Sequence, residues 1–292
     1  MSCSSLEERP YQSETAASSC FQSAPYQYTR EDLPTAVHEK VLDAALTQQL
    51  STQALNIANA IGLLEPITDY LRLLEENAAR PSTENSIQLI RLMQQINQRI
   101  NVASLEISAV ASKIDCEEER AEQIASFLQA REDDKSTRLT VGAIIAGAAG
   151  AVASGVELVG IGTGLLEATL GFMILRNEKS VTFHHQRNDL RDIWNAPEVS
   201  GDFPASVWYY LNYMHPNEQR KTLREQLIDR WLEFSQLTDD EEDRDERLAL
   251  YFDAGGEYTA EQLRTRANML DQLEAHITLM KQDLLTLAGE LP

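Results

Sequence analysis

The chain has 292 residues, 43% of them hydrophobic and 7% aromatic, and its 46 acidic and 25 basic side chains give a formal net charge of −21. That length buries a sizeable core in one or two domains, and a surface this acidic lacks the Lys/Arg patches that nucleic-acid binding requires. The same charge opposes adsorption to anionic lipid, so any membrane contact has to be hydrophobic.

Residues 1–28 are Ser-rich and aperiodic and read as a flexible tail without a signal-peptide apolar run. The three cysteines, Cys3, Cys20 and Cys116, are too few and too scattered for a disulfide framework or a metal site. A first long helix is expected from about Thr29 to Arg80, with Leu50, Ile57, Ile61, Leu64, Leu71 and Leu74 on one face and a kink at Pro66. A second helix follows Pro81-Ser82-Thr83 and runs to about Glu132. Its apolar positions, Leu89, Met93, Ile96, Ile100, Ala103, Ile107, Val110, Ile114, Ala121, Ile124 and Leu128, step alternately by four and three, and Glu117 is the one polar intrusion. A sustained heptad of this kind predicts coiled-coil packing, with the two helices paired antiparallel as a stalk over 29–138.

The next stretch, Leu139–Leu175 (LTVGAIIAGAAGAVASGVELVGIGTGLLEATLGFMIL), has 37 residues, two charges and eight of the thirteen glycines. One straight helix of that length is about 55 Å long, too long for a hydrocarbon core of ~30 Å. A tight apolar hairpin is expected instead, turning at Gly160-Ile161-Gly162-Thr163-Gly164 or at Ser154-Gly155. Gly147, Ala151 and Gly155, then Gly160 and Gly164, form small-residue stripes that let backbones approach closely, as in membranes. Glu157 and Glu167 are expensive at bilayer depth and favour the competing reading, a hairpin buried within a soluble bundle.

Residues 176–236 form an aromatic-rich module, expected as short helices and turns. Trp194, Trp208, Tyr209 and Tyr210 are its candidate partner-facing or membrane-interface residues, or else simply its core. An acidic linker, 237–258, comes next. It lacks the oxygen pattern and mid-loop glycine of a calcium loop. The last helix, 259–292, opens with the capping box Thr259-x-x-Gln262. It carries Leu263, Leu270, Ile277 and Leu284, with a companion row at Leu273, Met280 and Leu287, and is expected to return along the stalk.

The adjacent His184 and His185 do not make the i,i+4 pair of a zinc helix. No nucleophile elbow, phosphate loop or dinucleotide fingerprint is present. No catalytic residue, cofactor or metal is therefore expected. The fold class read from the sequence is all-α: an elongated antiparallel helical bundle with an apolar hairpin and a small aromatic-rich helical module.

Two long amphipathic helices, a Gly/Ala-rich apolar hairpin and a return helix resemble, in that order, the α-helical pore-forming toxins of the cytolysin A and haemolysin BL type. The resemblance implies that Leu139–Leu175 packs against the bundle in a soluble form and inserts on contact with a membrane, the protein acting as an oligomer. The module at 176–217 departs from that pattern. Cys3 followed by Ser4 and Ser5 resembles the start of a mature bacterial lipoprotein, which implies lipidation of Cys3, a place in the cell envelope, and freedom for Cys20 and Cys116 to oxidise; an ordinary tail is the alternative. The expected function is non-enzymatic engagement of a membrane through the hairpin, by an envelope or secreted protein, a cytoplasmic location being the alternative. The alternative is a soluble or lipid-tethered scaffold that binds a protein partner at the aromatic module.

Overall fold

A computed structural model describes residues 20, 24–133, 173–174, 180–185, 187–214, 221–233 and 241–292. These residues are mostly helical, with one small sheet. The spine is α4 (Thr83–Asp133), an unbroken helix of 51 residues, about 76 Å long. Its predicted stripe is the buried one. Ile96, Ala103, Ile107, Val110, Ile114, Ala121, Ile124 and Leu128 all lie in the core, with Leu89, Met93 and Ile100 half-buried beside them.

The region before α4 differs from the single kinked helix expected. It holds two 3-10 turns, then α1 (Ala44–Gln49), α2 (Thr52–Ala60) and α3 (Leu64–Ala79). Each break has a local cause. The Asp43 carboxylate accepts from the Ala45 amide and starts α1, and the Ser51 hydroxyl accepts from the Ala54 amide and starts α2. Gly62 ends α2 at φ +72°, and the Leu63 amide reaches back to the Ala58 carbonyl at 2.7 Å, a Schellman closure. Pro66 makes no kink because it sits in the first turn of α3, where an amide hydrogen has no helical acceptor.

The main partner of α4 is α9 (Ala260–Glu290), not the first helical region. The two run antiparallel: Arg264 bonds Gln129 at one end, and Glu274 lies against Glu118 further along. Both predicted rows of α9, Leu263, Leu270, Ile277 and Leu284 with Leu273, Met280 and Leu287, are buried. The expected capping box closes at Thr259, whose hydroxyl accepts from the Gln262 amide while its own amide donates to the Gln262 side chain. Helix α3 packs along the start of α4, where Arg99 donates to the Ile61 carbonyl at 2.9 Å. Helices α1 and α2 hold the far end of α9, through Gln49 to the Glu290 carbonyl and the Ser51 amide to the Glu290 carboxylate.

The described residues are predominantly helical, as the all-α reading expects, and one small sheet is added to them. Strands β1 (Met173–Ile174), β2 (Ser180–His184) and β3 (Gly255–Thr259) pair antiparallel in the order β1-β2-β3. In β2, Val181 and Phe183 point to the core and alternate with more exposed neighbours, the period of two that makes a half-buried strand. The aromatic module is thus not wholly helical. The acidic stretch starts a helix, α8 (Glu241–Phe252), which is followed by β3, and the two contribute Tyr251, Phe252 and Tyr258 to the core. Between the strands lie α5 (Asp189–Asn195), α6 (Ala205–Asn212) and α7 (Leu223–Glu233).

Two of the three cysteines are paired, although no disulfide framework exists among the described residues. Cys20 and Cys116 form a disulfide across 96 positions of sequence, with Cα atoms 5.6 Å apart. Beyond it, Pro25–Tyr28 lies on the 198–201 loop: the Tyr26 amide donates to the Gly201 carbonyl at 2.9 Å, and the Ser200 amide donates to the Tyr28 hydroxyl at 3.1 Å.

Candidate functional site

Most of the apolar stretch, with Gly147, Ala151, Gly155, Glu157, Gly160, Gly164 and Glu167, lies outside the described residues, as does Cys3. The points where the chain leaves and re-enters the described body are defined. Its last described residue before the stretch is Asp133, at the end of α4; it re-enters as β1, so Met173-Ile174 is strand rather than hairpin helix. Both points lie at the same end of the body. Strand β1 pairs with β2, β2 with β3, and β3 runs directly into the start of α9, which packs on the last turns of α4. Among the described residues no helix is long and apolar enough to cross a membrane.

The four aromatic candidates face inward. Trp194 is half-buried and stacks on Phe252, with centroids 4.6 Å apart and planes at 13°. Trp208 is buried and stacks on Phe203. The Tyr209 hydroxyl donates to Asn56 and accepts from Asn59, each at 2.9 Å, and the Tyr210 hydroxyl donates to the Asp283 carboxylate at 2.9 Å. Burial pushes the Tyr209 hydroxyl up to about 12, and Tyr210 is raised further by burial beside Asp283. Trp208 and Tyr209 also form part of an open groove of about 720 Å³ with Leu33, His38, Tyr213 and Met214.

The densest polar chemistry lies where the sheet meets α4 and α9. The buried Glu117 carboxylate accepts from Arg120 at 3.0 Å, and the Arg120 guanidinium stands 4.8 Å over the Phe183 ring of β2. Arg266 of α9, 1% exposed, donates to the Tyr251 carbonyl at 3.0 Å and to Asn188 at 3.1 Å. Asn188 in turn donates to the Tyr251 and Asp253 carbonyls. The His185 ring sits among them, its Nε2 2.8 Å from the Tyr258 hydroxyl, which donates to the Leu250 carbonyl at 2.5 Å. Burial, then the charge of Arg266, holds His185 well below the usual histidine range. His184 points outward from the strand, so the histidine pair is split between faces.

One layer away, Asp189 is 2.5 Å from Lys113, whose ammonium also donates to the Asp202 carbonyl at 2.9 Å. Burial nevertheless raises Asp189 to about 6. Arg187 binds Asp202 at 2.7 Å, and Ser200 donates to Asp192.

Separately, Asp115, Glu118 and Glu274 bring their carboxylates within 4.8 Å of one another on the α4–α9 seam. Burial first, and then the neighbouring acids, raises Glu118 and Glu274.

Glu117 is the one polar break in the apolar row of α4. Arg266 occupies the same row as Leu273, Met280 and Leu287, one heptad earlier, and was equally readable. Two opposite charges breaking two apolar rows at one end of the helix pair is the signal of a polar joint. No protein-family model, curated protein or solved structure matches the chain.

Proposed function

We propose that this is a non-enzymatic protein that engages a membrane by inserting or docking Leu139–Leu175, its α4–α9 pair and α3 acting as an elongated antiparallel stalk of coiled-coil type. One observation carries the reading. The chain reaches Asp133 at the end of α4 and is next described as β1 at the same end, and between them in sequence lies Leu139–Phe172, 34 residues with two charges. At roughly 17 residues for the shortest span, that length suits a hairpin that dips into a bilayer or just crosses it. The net charge of −21 makes the contact hydrophobic rather than electrostatic. The likeness in element order to α-helical pore-forming toxins agrees with action as an oligomer. The Cys20–Cys116 disulfide supports an oxidising location, such as the cell envelope or the exterior.

The test is flotation of the purified chain with neutral phosphatidylcholine liposomes, beside Ala151→Asp combined with Leu166→Asp. The wild type is expected to float and the folded double variant to stay at the bottom; dye release then separates a pore from an anchor. A wild type that does not float at any pH between 4.5 and 7.5 refutes the reading. A second reading, a scaffold that keeps the apolar stretch buried and binds a protein partner beside Trp208 and Tyr209, is favoured by the open aromatic groove there. It predicts a monodisperse protein that ignores lipid.

A further inference from the structure

The polar joint between the sheet and the helix pair contains one group placed to sense acid. His185 follows β2 directly, and its buried ring packs edge-on against Phe183 and Tyr258 beside Gly255. The Tyr258 hydroxyl proton is directed to the Leu250 carbonyl, so the 2.8 Å contact of Nε2 with the Tyr258 oxygen is made by an Nε2–H. That leaves Nδ1 bare. It is buried, and no described residue bonds it. Protonating the ring therefore puts a hydrogen on a buried nitrogen without a described acceptor, which is costly in itself.

The charge also arrives in unfavourable company. Arg266 from α9, Arg120 from α4 and Arg191 from α5 all oppose a positive ring. The β3 neighbour, Tyr258, is neutral, with Tyr251 of α8 behind it. Glu117 on α4 is engaged by Arg120 at 3.0 Å. Among the described groups acting on it, the Leu250 carbonyl on α8 favours the charged ring. The backbone around the ring has no slack. Gly255, with φ +82°, lies opposite His184, and a Cβ there would collide with the Phe183 carbonyl and touch the His185 ring.

We propose that His185 is an acid-sensitive latch: protonation of its ring at mildly acidic pH opens the joint between the sheet and the α4–α9 pair, at the end of the body that holds Asp133 and β1. The latch stands on its own geometry; its use as a trigger for the apolar stretch rests on the membrane reading above. An imidazole that stays neutral when the joint is closed and charges normally near ~6.5 when it is open disfavours closure tenfold for each pH unit below that value. From pH 7.5 to 4.5 the open fraction rises about a hundredfold. Asp189 has the opposite sign, its raised carboxyl favouring the folded state in acid. It faces Lys113 rather than the strands, so a local measurement separates the two.

The experiment is hydrogen exchange on the full chain at pH 7.5 and 4.5. Protection factors of the β2 and β3 amides, Val181–Phe183 and Glu257–Tyr258, are expected to fall about a hundredfold in the wild type and in His276→Gln, and less than about threefold in His185→Gln. Side-chain NMR of the wild-type histidines covers the case in which His185→Gln does not fold: the His185 ring is expected to stay neutral until strand protection is lost. A ring that charges near ~6.5 while the strands keep their protection overturns the latch, as does equal loss in His185→Gln. Liposome flotation in the same buffers separates the two ideas. Strand opening without flotation leaves the latch standing and defeats the membrane reading, whereas flotation in acid without strand opening defeats the latch.

Discussion

Breaking the Cys20–Cys116 bond isolates one stabilising element cleanly, because the bond ties a terminal segment to the middle of the spine across 96 positions. In the chain-entropy description, a cross-link closing a loop of n residues removes about 2.1 + 1.5R ln n cal/mol/K from the denatured ensemble. For this loop that is about 16 cal/mol/K, or about 4.7 kcal/mol at 25 °C. The folded state has other holds on the same segment, the Tyr26 and Tyr28 bonds to the 200–201 loop, so the native fold survives the loss and the effect falls on the denatured chain. Cys20→Ser is the least intrusive variant, since it leaves α4 untouched. It is expected to melt about 7–9 °C below the oxidised wild type, at roughly 1.6–2 °C per kcal/mol for a chain of this length, and to coincide with the wild type in excess dithiothreitol. Urea unfolding should show a larger m value, because the freed chain exposes more surface on unfolding. Melting within about 2 °C of a wild type shown by mass spectrometry to be oxidised would refute the argument, and an unchanged m value would move the effect into the native state.

Lys113→Met leaves the fully buried Asp189 carboxyl without its ammonium. The variant is expected to lose about 3–5 kcal/mol at pH 8. Removing the cation raises the Asp189 carboxyl further above its unfolded value, so the loss shrinks as the pH falls toward 4 and the neutral acid needs no partner. Paired urea titrations at the two pH values measure this, groups common to both proteins cancelling; a pH-independent loss would show that Asp189 is not the source. Gly255→Ala and Gly62→Ala separate backbone strain from collision. Both have positive φ, but a Cβ at position 62 meets nothing whereas one at 255 meets the Phe183 carbonyl. About 1 kcal/mol is expected at Gly62 and at least about 2 kcal/mol at Gly255, and equal losses in thermal melts would contradict a collision at Gly255.

The two longest helices were legible because their stripes are long enough for period to dominate over propensity: every apolar position named from Ile96 to Leu128 is buried or half-buried in α4, and the Thr259 cap sits where its four-residue signature put it. Short elements were not. The break at Gly62 needs only one glycine, which inside a long periodic pattern reads as tolerable. The β2 strand offers two inward side chains, Val181 and Phe183, too few to distinguish a period of two from chance. The partnership of α4 with α9 over the neighbouring helix was invisible because all the stripes are apolar and none carries a code for its mate. The joint around His185 is assembled from α4, α5, β2, β3, α8 and α9, so no local window contains it. What a window did contain was the misfit, Glu117 and Arg266 where the rows call for leucine.

Thr259 is at once the last residue of β3, paired with Ser180, and the N-cap of α9. Strand and helix therefore share an index, and β2 cannot slip by one residue without turning Val181 and Phe183 outward. The consequence is kinetic. Helices close through neighbours in sequence, while the β2–β3 side of the joint waits for partners such as His185 and Tyr258, 73 positions apart, to meet. The start of α9 is set locally by its own cap, and the sheet takes its register from that fixed point.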